Sequence, residues 1–443
     1  MEPLSVLRKS VPNAFRVTET LSRAGYTAYF AGGCVRDCLL GRPPKDIDIA
    51  SNAPPEQVEA LFPRTHPIGK AFGVVQVVEG DDVFEVAAFR RDLEQTDGRR
   101  PGRIEPSTPE EDAQRRDFTI NGLFLDPRSG AIIDFVGGQP DLASHLIRAI
   151  GQPADRFRED RLRMLRAVRF AAVLDFTIHP HTLAAIQAQS AEIRQISVER
   201  IQVEFTRLLT ESPRPGHALE QLHAAGLLRY ILPEFLDLQG CEQPPEFHPE
   251  GDVWTHTVMM LNHLHAPSPA LALAVLLHDI GKPQTRTVEN GRIRFTGHAQ
   301  VGAEIAERWL RKMKYSNALR QQVVGMVDRH MNFMNVSNMR TATLRRFVAR
   351  ENFEEELELH RIDCLCSNGI TESHDLLKQI RAQHLAAAAL PTPWIDGRDL
   401  LRLGLREGPE IGKWKRIAYD AQLENHFPDK STLLKWLSTE IQT

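Results

Sequence analysis

The sequence is poor in the features that mark several large protein classes. It has five cysteines in 443 residues, an odd number without regular spacing, so no disulfide framework is written into it. Cys364 and Cys366 stand one residue apart rather than two, which rules out a CxxC zinc knuckle at that point. No apolar run approaches bilayer length, and the opening stretch MEPLSVLRKSVPNAF lacks the apolar core of a secretory leader. These absences predict a cytoplasmic protein that does not enter membranes. Neither charge dominates: 54 Lys and Arg face 58 Asp and Glu, for a formal net charge of −4. Bulk basicity therefore advertises no nucleic acid, and any contact with RNA must use local patches. Internal repeats and low-complexity tracts are absent as well.

What is present is length for two to four domains and a clear change of pattern along the chain. Residues 1–24 read as one amphipathic helix with Leu7, Phe15, Val17 and Leu21 as candidate buried positions. From Tyr26 to Asp134, short β-like runs are punctuated by glycine and proline, which predicts an α/β head with a small sheet. Within it, Arg90 to Pro109 carries many charges and no periodicity and reads as a loop. After about residue 140 the pattern becomes helical, with breaks at Pro180, Pro213, Pro215, Gly226 and Pro233. A Pro/Gly-rich break, GCEQPPEFHPEGD, precedes a second helical module that closes at Leu390 to Pro393. The expected segments are a head (1–140), a helical neck and body (141–240), a second helical module (241–390) and a helical tail (391–443).

Residues 31–49, AGGCVRDCLLGRPPKDIDI, carry the most chemistry. Side chains alternate along an extended strand, so Asp46 and Asp48 project together while Ile47 and Ile49 turn to a core. Two carboxylates beside a Gly32-Gly33 turn suit a Mg²⁺-bound triphosphate, because magnesium shares oxygen ligands between a few carboxylates and substrate phosphates. Glycine lets backbone N–H groups come close to phosphate. Arg36 is a further phosphate candidate, and Asp37 is either part of the site or simply the ion-pair partner of Arg36.

This block, with RRDFTINGLFLDP (Arg115 to Pro127) and EDRLRMLRAVRFAA (Glu159 to Ala172), resembles the class II tRNA nucleotidyltransferases, meaning the CCA-adding enzymes and bacterial poly(A) polymerases. The resemblance covers about the first 210 residues. It implies a polymerase-β-like α+β head with a small mixed sheet, followed by an all-α neck and body. It carries the family's two catalytic, magnesium-binding aspartates onto Asp46 and Asp48. Nucleotide contacts fall on Gly32, Gly33, Arg36, Arg116, Asp117 and Asn121, with ribose or backbone as alternative partners for Asn121. The family's base-selecting EDxxR motif matches Glu159, Asp160 and Arg163. Read as a helix, Asp160 and Arg163 share one face, and their acceptor and donor edges can pair with a base as another base would. Arg156, Arg163 and Arg166 then lie near one side of that helix, against an apolar stripe of Leu162, Leu165 and Val168. Arg166 and Arg169 reach either the triphosphate or ordinary structural partners.

The implied activity is template-independent, Mg²⁺-dependent addition of CCA, or of its terminal A, to the 3′ end of tRNA from CTP and ATP. Poly(A) polymerases carry a more basic stretch after the aspartates, where this chain reads IGKAFGVVQV, which favours tRNA end synthesis. The loop at Asp97 to Pro101 resembles the flexible element needed for the final A and argues against a CC-only enzyme.

A second constellation occupies residues 248–363: His256, the pair His278-Asp279 in LLHDIGK, His298, His330 and Asp363. Its order resembles an HD-domain metal phosphohydrolase, with His256, His278, Asp279 and Asp363 as metal ligands and His298 and His330 as ligands of a possible second ion. Imidazole and carboxylate suit Mn, Ni, Co, Fe or Zn. Lys282 follows the HD pair as a phosphate candidate, whereas His248, His263, His265 and His360 fit no place in the pattern and read as surface or packing residues. The expected reading is a tRNA nucleotidyltransferase with a fused HD module that hydrolyses phosphoester ends of RNA. Its rivals are a poly(A) polymerase, and an HD phosphohydrolase or RNA-binding protein with a degenerate head.

Overall fold

Pro12 decides how the chain begins. Having no N–H to donate, it cannot continue a helix but fits a first helical turn. The expected single helix is accordingly two, Pro3–Ser10 and Pro12–Arg23. Leu7, Val17 and Leu21 are buried as expected, and Phe15 is half-buried. The computed structural model describes residues 3–66, 73–95, 101–386 and 390–442, and its chain forms two compact units, 1–233 and 234–443.

In the first unit the strands are β1 (Ala28–Ala31), β2 (Asp48–Ser51), β3 (Thr65–His66), β4 (Val74–Glu79), β5 (Asp82–Ala88), β6 (Arg90–Gln95), β7 (Pro101–Pro106), β8 (Leu123–Leu125) and β9 (Ile132–Asp134). Seven of them make one sheet in the order β3-β4-β5-β2-β1-β8-β9, mixed because β2 runs parallel to β5 while the other pairs are antiparallel. Alternation holds along β5 and from Asp46 to Ile49, whereas Ala50 and Ser51 of β2 are both buried. Ile49, Phe84 and Val86 are buried, and Asp48 and Glu85, in register with each other, are exposed. Phe89 and Phe124 pack edge to face at 6.0 Å beneath the sheet, each buried phenylalanine worth about 2–3 kcal/mol.

Of the stretch Arg90 to Pro109, expected as a loop, the described residues instead form an antiparallel ribbon of β6 and β7 that leads to a helix, Pro109–Gln114. Its charges alternate poorly in sequence, but the register Arg91↔Glu105 sets opposite charges across from each other, 3.1 Å apart. Residues 97–100 of the expected flexible element, and 68–72 of IGKAFGVVQV, lie outside the described residues.

Beyond residue 140 the first unit is helical, with one two-residue parallel pair, Leu146–Ile147 with Thr177–Ile178. Pro180 and Pro215 each open a helix, and Gly226, at φ +74°, follows the end of another. The second unit is helical apart from a hairpin, Thr287–Glu289 with Arg292–Arg294. Its last helices, Gly397–Arg402, Pro409–Leu423 and Lys430–Glu440, close over a core that includes Leu400, Leu433 and Leu437. Among the described residues no helix is long and apolar enough to cross a membrane.

Candidate functional sites

In the first unit the Gly32-Gly33 turn, the end of the Pro-Pro-Lys loop, the RRD block and the helix Leu162–Leu174 line one cavity of about 510 Å³. Asp46 and Asp48 line it together with Asp160 and Arg163. Asp48 reaches solvent through the cavity. Enclosure by protein and the neighbouring Glu85 carboxylate raise its pKa, Arg116 offsets part of this, and Asp46 adds to it. A crowd of carboxylates that resists ionisation is the donor set a hard divalent cation relieves. Glu85 was not singled out from sequence. It sits on an out-facing position of a recognisable strand, but only the parallel pairing of β2 and β5 brings it to Asp48.

The phosphate-side residues form a network. Gly32 adopts φ +71°, and a Cβ there would lie 2.7 Å from Arg116 Nη1. Arg36 is buried. It donates through Nη1 to Asn121 Oδ1 at 2.7 Å and through Nε and Nη2 to Asp37 Oδ1, so Asp37 is its ion-pair partner. Asn121 in turn donates through Nδ2 to Asp117 Oδ1 at 3.0 Å. Burial alone would raise the Asp117 carboxyl; the Arg166 guanidinium and the Asn121 hydrogen bond outweigh it and hold it at about 2. Arg116 is steadied by Asp112 at 3.1 Å. Arg169 is buried against Glu204, which also lies 3.5 Å from Arg166. Three guanidiniums, those of Arg36, Arg166 and Arg169, lie within 5.3 Å of the Phe170 ring. Phe170 and Glu204 had no sequence signal beyond helical patterning.

The base-selecting block differs from its expected form. Asp160 is not on a helix: it sits extended (φ −146°, ψ 105°) between the helices Pro153–Glu159 and Leu162–Leu174. Its side chain accepts the Leu162 N–H at 3.0 Å, a local bond that competes with helix continuation. Arg156 therefore belongs to a different helix from Arg163 and Arg166, and it donates through Nη2 to the carbonyls of Arg115 and Arg116. Glu159 accepts from Arg156 and, at 2.7 Å, from Arg163. Asp160 and Arg163 still line the same cavity.

In the second unit the helix Pro269–Leu277 ends just before His278, with Leu276, Leu277 and Ile280 buried as anchors. Gly281 allows the approach of the next element, since a Cβ there would lie 2.2 Å from the carbonyl oxygen of His298. His256, His278, Asp279, His298 and His330 are all buried, and Asp363 is half-buried. Three imidazoles donate Nδ1–H to backbone carbonyls: His278 to Val275, His298 to Phe295 and His330 to Val327, at 2.8, 2.8 and 2.6 Å. His256 Nδ1 faces Glu250 Oε1 at 2.6 Å. With each Nδ1 so occupied, the Nε2 atoms of His278, His298 and His330 present lone pairs inward; burial would lower His256, but the Asp363 and Glu250 carboxylates outweigh it and raise it to about 9.

These lone pairs face one another and the acids. His298 Nε2 and His330 Nε2 are 3.2 Å apart. His256 Nε2 lies 3.2 Å from Asp363 Oδ1 and His278 Nε2 lies 3.1 Å from Asp279 Oδ2, yet neither nitrogen has an aligned hydrogen bond among the described residues. Asp279 turns Oδ2 to His278 and to Lys282 Nζ (2.6 Å), and Oδ1 to His298 (3.5 Å) and His330 (3.8 Å). Burial would raise Asp279, but the adjoining His278 and Lys282 hold it well below the usual carboxylate range. Burial and the nearby His278 depress His330 to about 4, so it stays a neutral donor of a lone pair at neutral pH. Inward-facing imidazole and carboxylate acceptors this close together fit metal ions, and the donor set is borderline in softness.

His248, read from sequence as a surface or packing residue, is part of this site. Its Nδ1 lies 2.9 Å from the same Glu250 oxygen that holds His256, and its ring is 4.9 Å from the His256 ring. His360 does pack, stacking on Phe333 at 5.0 Å, and His263 and His265 are exposed.

Sequence families match the chain in three consecutive blocks. Residues 28–148 match the poly A polymerase head domain, 175–238 the probable RNA- and SrmB-binding site of polymerase A, and 253–367 the HD domain. The chain is similar to the CCA-adding enzyme of Levilactobacillus brevis, 45% identical over 223 residues, or 50% of this chain and 55% of that one. A CCA-adding enzyme of Bacillus subtilis is 44% identical over 204 residues, 46% of this chain and 51% of its own length. The matched stretch thus spans about half the length of these curated relatives. The Bacillus stearothermophilus CCA-adding enzyme in complex with CTP superposes with a TM-score of 0.72 at 27% identity, over 97% of this chain and 98% of that chain. The Thermotoga maritima CCA-adding enzyme complexed with tRNA shares the fold at 19% identity, with a TM-score of 0.60 over 100% of this chain and 99% of that one.

Proposed function

We propose that the first unit adds CCA, or its terminal A, to the 3′ end of tRNA from CTP and ATP. The observation that carries the reading is one cavity lined both by Asp46 and Asp48 and by Asp160 and Arg163. That arrangement couples a place for transfer to a place for choosing a base. Magnesium held by Asp46 and Asp48 would help activate the 3′-hydroxyl and neutralise the leaving pyrophosphate. Glu85 adds a third carboxylate beside Asp48. Arg36 and Arg116 supply positive charge beside the Gly32-Gly33 turn, and Asn121 and Asp117 fix Arg36 and Arg166 in place.

Base choice falls to Asp160 and Arg163. Cytosine and adenine each present an exocyclic amine next to a ring nitrogen acceptor, whereas uracil and guanine present a carbonyl next to an N–H. A carboxylate that accepts beside a guanidinium that donates matches the first pair and leaves groups unpaired with the second. The relative bound to CTP supports this assignment. A tRNA substrate puts the activity in the cytoplasm.

For the second unit, we read the converging imidazoles and acids as an HD phosphohydrolase site acting on phosphoester ends of RNA. His256, His278, Asp279 and Asp363 would hold one transition metal, and His298 and His330, across Asp279, a second. Such ions lower the pKa of bound water and polarise a phosphate. Lys282 offers a charge to the substrate. The segments proposed above, head, neck and body, HD module and tail, follow this division of labour.

The deciding experiment incubates the protein with tRNA transcripts ending before C, CC or CCA, one nucleotide at a time. Addition of C, C and then A with arrest after A is expected. Continued addition of A to any 3′ end makes the protein a poly(A) polymerase, and addition of A alone makes it an A-adding enzyme.

A further inference from the structure

The two residues assigned to base reading are held in place by different parts of the first unit. Arg163 is fixed from the head side: its Nη1 donates to Glu159 Oε2 at 2.7 Å and to the Arg156 carbonyl at 3.3 Å, and its Nη2 to the Arg115 carbonyl at 3.1 Å. Asp160 is fixed from elsewhere. Its Oδ1 accepts the Leu162 N–H, and its Oδ2 accepts from Arg200 Nη2 at 2.7 Å. Arg200 sits in the first turn of the helix Val198–Glu211, 40 residues on, within the block matched to the RNA-binding region. The pair is only partly open to solvent, with side chains 23% and 21% exposed.

A residue between two helices, in extended backbone, has no helical neighbour to fix its rotamer. A carboxylate there would turn unless something occupied its second oxygen. The Arg200 guanidinium does so, and each oxygen retains a further lone pair for an incoming amine.

We propose that Arg200 is a specificity-determining positioning residue: it holds the Asp160 carboxylate at the spacing from Arg163 that accepts an amino-bearing base edge and refuses a keto-bearing one. This rests on the reading of Asp160 and Arg163 as the base-selecting pair. Arg200 is not among the residues that line the transfer cavity. Its loss therefore leaves transfer chemistry in place and frees Asp160 to turn, so that wrong bases no longer meet a fixed mismatch.

The test compares wild type with Arg200→Ala, Arg200→Lys, Asp160→Ala and the Asp160→Ala/Arg200→Ala double variant, using single-nucleotide incorporation into tRNA transcripts. Arg200→Ala should lower the kcat/KM preference for CTP over UTP, and for ATP over GTP, by about tenfold, the scale of one charge-assisted hydrogen bond. Arg200→Lys should restore part of it, and the double variant should discriminate no worse than Asp160→Ala. Urea midpoints of all five proteins control for folding. If Asp160→Ala loses discrimination and Arg200→Ala keeps it, the positioning role is overturned while the base-selecting pair stands. If Asp160→Ala also discriminates like wild type, the base-selecting reading itself falls. An equal drop for all four nucleotides with a lowered midpoint makes Arg200 a structural ion pair and overturns the proposal.

Discussion

Arg166 donates twice to a single oxygen of Asp117, through Nε at 2.9 Å and Nη2 at 2.6 Å. The pair ties the RRD block to the helix behind the transfer cavity, and it has a pH signature. The folded carboxyl titrates at about 2 against an ordinary value of 3.8. A depressed acid stabilises the fold when ionised, so the contribution is complete above pH 4 and disappears as pH falls through 2. Its size is about 2 kcal/mol. Asp117→Asn should lower the urea-unfolding free energy by that amount at pH 7, and the gap to wild type should close between pH 4 and 2. A gap independent of pH would mean that the hydrogen bonds, not the charge, carry the contribution.

Asp48 has the opposite electrostatics, being crowded by Glu85 and Asp46. In chelator, Asp48→Asn should unfold at a higher temperature than wild type, because a destabilising charge is gone. Magnesium should raise the melting temperature of wild type and leave the variant unmoved. Nucleotide incorporation should fall about a thousandfold or more, with tRNA affinity retained through the arginines. A variant that incorporates at near wild-type rate removes Asp48 from the transfer chemistry.

Asp279 divides its two oxygens between two groups of imidazoles. Asp279→Asn should abolish binding of transition metal, measured on the purified protein by elemental analysis after loading with Mn, Ni or Co. Hydrolysis of a 2′,3′-cyclic phosphate end should be lost with it, while addition of nucleotides to a free 3′-hydroxyl continues. Full metal content in the variant would contradict the ligand assignment.

Gly281→Ala is the sharpest steric test. The added methyl group would meet the His298 carbonyl at 2.2 Å and the Gly302 nitrogen at 2.5 Å, both backbone atoms that cannot swing away. Destabilisation of about 3 kcal/mol and weaker metal binding through a displaced His298 are expected from urea and metal titrations. Unchanged stability would show that the two segments separate without cost.

Much of this was legible in the sequence where the signal is local. Period-two alternation placed Asp46 and Asp48 together, and the order of histidines and aspartates gathered six groups that converge in the structure. The failures are non-local or concern competing local bonds. Asp160 left its helix because its side chain captures the Leu162 N–H, which helical spacing does not foresee. The β6–β7 ribbon sets Arg91 across from Glu105, a pairing that no single strand displays. Glu85 and Arg200 reach their partners only through strand pairing and helix packing, and the shared Glu250 oxygen that joins His248 to His256 depends on a chain turn.

Seven arginines and four aspartates line the transfer cavity, a local balance of seven minus four, or +3, in a chain whose net charge is −4. A polyanion meets a chain of weakly negative net charge and a positive balance of lining charges at the cavity. Diffusion is thereby biased before any specific contact forms, and the capture rate is set by a field that decays within about 8 Å at physiological ionic strength. Added salt should therefore slow encounter far more than it loosens the seated complex.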